Sequence, residues 1–169
     1  MKRWACAALL AAGAAAHAGK AHEHGIAKLD VAVDAGRVTL LLEMPLDSLV
    51  GFEREPRTDA EKAAAEAALA KLRAFGTLFR IDPAAACIAG KADIKAGPLT
   101  GAAAAKDGHD DVDASFEFGC KGGAHAGFLE VGLFEAFPRL SRVDVQTATR
   151  KGQLKATLRR GTTRVPLAK

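Results

Sequence analysis

The 169-residue chain has no Tyr and one Trp. It also has no Asn, so it carries no N-x-[ST] acceptor and few of the polar-aromatic anchors common at protein–protein hot spots. Sequence signatures of catalysis are missing too. There is no G-x-S-x-G, G-x-x-x-x-G-K-[ST] or G-x-G-x-x-G, and His22-Glu23-His24 lacks the H-E-x-x-H spacing of a zincin helix. Ser48, Ser115 and Ser141 are the only serines, and no pattern ties any of them to a base. Glu53 and Glu55 form a pair of nearby loop carboxylates, an arrangement usually solvated, so a non-catalytic protein is expected. Beyond the N-terminal stretch no segment approaches the roughly 20 apolar residues that span a bilayer. Arg159, Arg160 and Arg164 cluster without interleaved aromatics, which argues against a nucleic-acid footprint.

Apolar residues make up 49% of the chain, yet Ala is the commonest residue, so the core-forming material is smaller than that figure suggests. A small core benefits from a covalent staple. Residues 1–18 read as a signal peptide: Lys2 and Arg3 form a positive n-region, residues 5–15 a small-residue apolar stretch, and Ala16-His17-Ala18 an A-x-A cleavage pattern before Gly19. The chain is expected to be secreted, cleaved after Ala18, with residues 19–169 as one domain. Cleavage removes two basic residues and no acidic ones, so the full chain's formal charge of +4 falls by two and says little about partners.

Cys6 leaves with the signal, and Cys87 and Cys120 remain in a chain bound for an oxidising compartment. A disulfide between them is the expected outcome. The alternative is two metal-binding thiolates, but neither Cys has a close-spaced Cys or His beside it.

Alternation of apolar residues predicts a β-hairpin over residues 25–44, turning at Asp34-Ala35-Gly36 and stopped by Pro45. Residues 46–56 fit neither period and read as a packed loop. Thr58-Asp59-Ala60-Glu61 is a capping box, predicting a helix from about Asp59 to Phe75 with Ala65, Ala68, Leu69, Leu72 and Phe75 on one stripe. Short extended segments follow at Leu78–Ile81 and Ile88–Ile94, then an Ala- and Gly-rich surface loop over residues 97–108. Val112, Ala114, Phe116, Phe118 and Cys120 share one face of a strand, which points Cys120 into the core. Phe128, Leu129, Leu133, Phe134 and Phe137 at helical spacing predict a short helix ended by Pro138. A second hairpin over residues 143–158 turns at Arg150-Lys151-Gly152, with Val165–Leu167 as a last edge. The sum is an α+β domain: antiparallel hairpins forming a sheet packed against one or two helices, with one disulfide.

His22-Glu23-His24 is the sharpest local feature. In an extended chain residues i and i+2 share a face, so both imidazoles can reach one Zn²⁺. Two imidazoles do not complete a tetrahedron, and Glu53, His109, Asp110, Asp111, His125 or water are the candidates to finish it. In His109-Asp110-Asp111 a carboxylate beside an imidazole suits a ligand or an acceptor that fixes the ring's tautomer. His125, flanked by Gly and Ala, reads as bystander surface.

The succession Ala21-His22-Glu23-His24-Gly25, Val50-Gly51-Phe52-Glu53 and Thr58-Asp59-Ala60-Glu61-Lys62 resembles the ZrgA-type zinc-uptake proteins of Gram-negative bacteria. The resemblance continues through Leu78-Phe79, Cys87, His109-Asp110, Phe116-x-Phe118-x-Cys120, Leu133-Phe134-x-x-Phe137-Pro138 and Gly152-Gln153, and so covers essentially the whole mature chain. It implies a periplasmic protein that binds zinc and assists an uptake system. The metal ligands it carries over are His22, His24, Glu53, His109 and Asp110. Zinc is then the bound ion, and a zinc ABC transporter or its binding protein the implied partner. This chain departs from the family pattern twice: residues 100–108 stand where many members carry a long His- and Asp-rich insertion, and Arg54 stands where members often have His.

The function expected is therefore a periplasmic zinc-binding accessory protein that captures the ion without catalysis and hands it on. The competing expectation is a non-catalytic cell-envelope interaction module with no metal site, whose hairpins offer an edge to a partner.

Overall fold

The computed structural model describes residues 23–102 and 110–167. The predicted signal peptide, His22 and His109 lie outside the described residues.

The first hairpin forms where alternation places it. Strand β1 (Ile26–Val33) buries Ala27, Leu29, Val31 and Val33, and β2 (Arg37–Pro45) buries Val38, Leu40, Leu42 and Met44. Pro45 does not open a loop, as the irregular sequence suggested. It starts a five-residue helix α1 (Leu46–Val50), which Gly51 ends at φ 92°. So short a helix has too few residues to display a 3.6-residue period.

The capping box is realised at the next helix, α2 (Asp59–Arg73): the Thr58 hydroxyl accepts from the Glu61 N–H and the Glu61 carboxylate accepts from the Thr58 N–H. Its buried stripe is Ala65, Ala68, Leu69 and Leu72. The helix stops two residues short of Phe75, which opens a separate turn, α3 (Phe75–Leu78), leading into β3 (Phe79–Ile81). Strands β4 (Cys87–Lys95) and β5 (Asp111–Cys120) follow.

Residues 128–137 are not one helix. Strand β6 (Phe128–Val131) buries Leu129 and Val131 between two neighbouring strands, and only Leu133–Ala136 is helical, as α4. Tertiary pairing overrides the helical spacing there. The second hairpin is β7 (Arg142–Thr149) and β8 (Gly152–Arg159), and β9 (Arg164–Pro166) is the last strand.

The strands make a six-stranded sheet in the order β4-β5-β2-β1-β7-β8 and a three-stranded sheet in the order β3-β6-β9. The first hairpin meets the second through a parallel pairing of β1 with β7, so the larger sheet is mixed; its other pairings are antiparallel. Its inner face carries the core. Phe116 of β5 stacks on Phe75 with ring centroids 5.0 Å apart and meets Phe79 of β3 at 5.5 Å, and Phe118 meets Phe75 edge-on at 5.1 Å. Its outer face is open, with Leu41 51% exposed at its centre.

The expected disulfide is present: Cys87 and Cys120 face each other across β4 and β5, Cα atoms 4.0 Å apart, and join the two strands covalently. Among the described residues no helix is long and apolar enough to cross a membrane.

Candidate metal centre

Three segments meet at the end of the sheet where β1 begins: the N-terminal lead, helix α1 with the loop after it, and the start of β5. Gly25 makes the first junction. Its N–H donates to Ser48 Oγ of α1 at 2.8 Å, while its carbonyl accepts from the N–H groups of Ser141 and Arg142 at 2.8 and 3.0 Å and from Ser141 Oγ at 2.9 Å. The residue must be glycine: its φ is +79°, and a Cβ there would lie 3.0 Å from Ser141 Oγ. Leu46 makes the second junction, its N–H donating to the Asp110 carbonyl at 2.9 Å.

These bonds hold His24 over α1. Its Nε2 lies 3.3 Å from Glu53 Oε1 and its Nδ1 lies 3.8 Å from Asp47 Oδ2. The imidazole is 55% exposed, Asp47 29% and Glu53 13%, so the ring faces solvent while the Glu53 carboxylate is set into the protein beneath it. The left-handed turn at Gly51 redirects the chain after α1 and brings Glu53 back to the ring.

Adjacent side chains go separate ways. Arg54 turns from the site to α2, where its guanidinium spans both Glu61 oxygens at 3.0 and 2.6 Å and lies 5.1 Å over the Phe52 ring. Those bonds, with the Arg57 N–H, hold the Glu61 carboxyl down at about 2. Glu23, beside His24, turns to the outer sheet face and pairs with Arg142 at 3.1 Å.

Of the ligands read from the sequence, the structure brings His24 and Glu53 together. Asp110 enters the neighbourhood through its main chain; its carboxylate is buried and faces Gly97, where an added Cβ would stand 3.2 Å from Oδ1. His22 and His109 lie outside the described residues, each one residue away in sequence from a described one, Glu23 and Asp110. His125 sits in the turn Gly123–His125, whose Gly123 N–H bonds the carbonyl of Ala35 beyond the far end of β1. An eight-residue strand separates it from His24, a span of about 26 Å.

Asp47 was absent from the sequence reading. Its one local signal is an acidic residue in the first turn after Pro45, the pattern of a helix start. It faces Nδ1, the ring nitrogen opposite to the one Glu53 faces. Accordingly, no three His, Cys, Asp or Glu side chains among the described residues converge on one point able to hold a metal ion.

Residues 21–167 match the model of a protein family described as ZrgA family zinc uptake protein. The chain belongs to the ZrgA family. A comparison with curated proteins finds no match. The family match runs from the N-terminal lead to the end of β9 and thus takes in every residue discussed at this site. It ties the chain to zinc uptake, and the Cys87–Cys120 bond is part of the matched region.

Proposed function

We propose that this ZrgA-family protein is a periplasmic zinc-binding accessory of zinc acquisition, exported by the signal peptide of residues 1–18. It captures Zn²⁺ without catalysis and passes it to a transporter or its binding protein. Zinc here is cargo. The proposed ligands are His24 and Glu53, completed by His22 and His109, with Asp110 as a neighbouring carboxylate.

The observation that carries this reading is the spacing between His24 Nε2 and Glu53 Oε1. Two donors about 2.05 Å from a tetrahedral zinc stand about 3.3 Å from each other, and these two atoms are 3.3 Å apart. Asp47 on the opposite ring nitrogen supports it further. An imidazole that ligates through Nε2 is commonly held by a carboxylate at Nδ1–H, which fixes the tautomer and raises the ring's basicity. Asp47 stands 3.8 Å from Nδ1, near enough for its charge to favour the proton there although beyond direct hydrogen-bond length. The exposure of the ring suits reversible capture and release, because the ion can leave without unfolding its surroundings.

Calorimetric titration of Zn²⁺ into the chain of residues 19–169 tests the reading. Expected are one bound ion, loss of at least tenfold in affinity for His24→Ala and for Glu53→Gln, and loss of about tenfold for Asp47→Asn, which keeps the shape and removes the charge. Unchanged heats for His24→Ala would overturn the site.

A further inference from the structure

The two edges of the six-stranded sheet are finished differently. At one edge, β4 breaks its register with β5 between Ala89 and Ala92, and it is tied to β5 by the disulfide. A bulge of this kind blunts an edge against further pairing. At the other edge, β8 pairs with β7 without a break from Gly152 to Arg159 and contains no Pro. Thr149 and Gly152 face each other across a two-residue turn and so form a hydrogen-bonded pair. From there the alternation directs the N–H and C=O groups of Gln153, Lys155 and Thr157 away from β7. All three residues are exposed. The open stretch ends at Arg159, whose carbonyl accepts from the Thr162 N–H at 2.9 Å.

The charge along this edge has one sign. No Asp or Glu follows Asp144 in the chain. Asp144 itself is engaged by Arg142 at 3.2 Å and by the Thr157 hydroxyl at 3.0 Å. Two of the nearby cations are also engaged. Arg160 donates to the carbonyls of Phe134, Pro138 and Leu140, and Arg164 lies 4.1 Å over the Phe128 ring and pairs with Glu130. Arg150, Lys151, Lys155 and Arg159 remain, exposed or nearly so, with no carboxylate partner among the described residues. On the other side of the same strand, Leu154 and Ala156 are only half-buried, although Thr147 and Val145 across from them on β7 are buried.

We propose that the outer edge of β8 receives an extended segment of a partner protein in which acidic and apolar residues alternate. The segment adds as a seventh strand. Its main chain takes up the groups of Gln153, Lys155 and Thr157, its acidic side chains lie beside Lys155 on the outer face, and its apolar side chains cover Leu154 and Ala156 on the inner face. A second copy of this chain is the wrong occupant, since β8 laid on β8 sets Lys155 and Arg159 against their own kind. A nucleic acid is also the wrong occupant: phosphates accept hydrogen bonds but cannot donate to the three open carbonyls. This site does not depend on the metal reading, and its test is run without metal.

The probe is an end-blocked eight-residue peptide alternating Val and Glu, titrated into the chain of residues 19–169 in EDTA and followed by backbone amide NMR. Binding is expected to shift the amides of Gln153, Lys155 and Thr157 and to slow their exchange. Lys155→Glu should weaken it about tenfold. Lys155→Pro, which an edge strand tolerates, should abolish it while the β1 amides and the thermal melt stay as in the parent. A peptide of the same composition with Val and Glu in separate blocks should bind at least tenfold more weakly. The proposal is overturned by no binding at about 1 mM peptide, by equal binding of the block peptide, or by undiminished binding to Lys155→Pro. It is equally overturned if a single-stranded oligonucleotide displaces the peptide from these amides, or if the free chain dimerises with them protected.

Discussion

The N–H of Gly25 donates to Ser48 Oγ at 2.8 Å, and Ser48 is 1% exposed. This single buried bond ties the segment that carries His24 to the helix that carries Asp47. It lets a hydroxyl outside the proposed ligand set decide where the imidazole stands.

Ser48→Ala removes that acceptor and leaves the Gly25 N–H buried without a partner, a loss of about 1–3 kcal/mol in stability. Because His24 and Glu53 are both intact in this variant, any drop in zinc affinity reports position alone. A drop of about tenfold is expected, measured by calorimetry beside urea unfolding of the metal-free protein.

Glu61 gives the protein an acid-sensitive clasp between the loop after α1 and the start of α2. Arg54, donating to both carboxylate oxygens, and the Arg57 N–H bring its carboxyl from the ordinary 4.5 to about 2. A carboxyl depressed by folding stabilises the fold above its unfolded range, and that contribution is lost as pH falls toward about 2. Carboxyl NMR should find Glu61 titrating well below the ordinary carboxylate range, near about 2. In Arg54→Ala its midpoint should rise toward the ordinary value, and the capping box of α2 should loosen in hydrogen exchange.

Cys87→Ala with Cys120→Ala opens a bond that closes a 33-residue separation. Stability should fall by about 3–4 kcal/mol if the chain-entropy account governs. Denaturant unfolding of the double variant against the oxidised parent measures it. The proposed zinc site, at the other end of β5, should keep its affinity while the variant stays folded.

Phe116 is fully buried and contacts both Phe75 and Phe79. Phe116→Ala should cost about 3–5 kcal/mol, because it leaves a cavity where the six-stranded sheet, α3 and the small sheet meet. A larger loss than for Phe118→Ala is expected, since Phe118 meets only Phe75 among these rings. Thermal unfolding of the two variants compares them.

Both hairpins, α2 and the disulfide were legible in the residues because each rests on local physics. The period-2 alternation of Ala27, Leu29, Val31 and Val33 needs only the strand's own pleat, and the Thr58–Glu61 box needs only four consecutive residues. The pairing of Cys87 with Cys120 followed from there being two cysteines left once Cys6 is assigned to the expected signal peptide. Both members of the His24–Glu53 pair stood out in the residues, His24 in a motif and Glu53 in a segment resembling a family.

What the residues could not express depends on partners far along the chain. Parallel pairing of β1 with β7 joins strands with no turn between them. Strand β6 reads as a helix until β3 and β9 are set on either side of it, because Phe128, Leu129, Leu133 and Phe137 satisfy a helical spacing. Asp47 became visible beside His24 only once Gly25 had bonded Ser48 and the lead had been laid over α1. By itself, the sequence determined which stretches extend, which coil and which two sulfurs join, because neighbouring side chains and backbone groups decide those matters. Tertiary structure alone decided which face of His24 meets which carboxylate and which sheet edge stays open, because both follow from contacts between elements that no local pattern encodes.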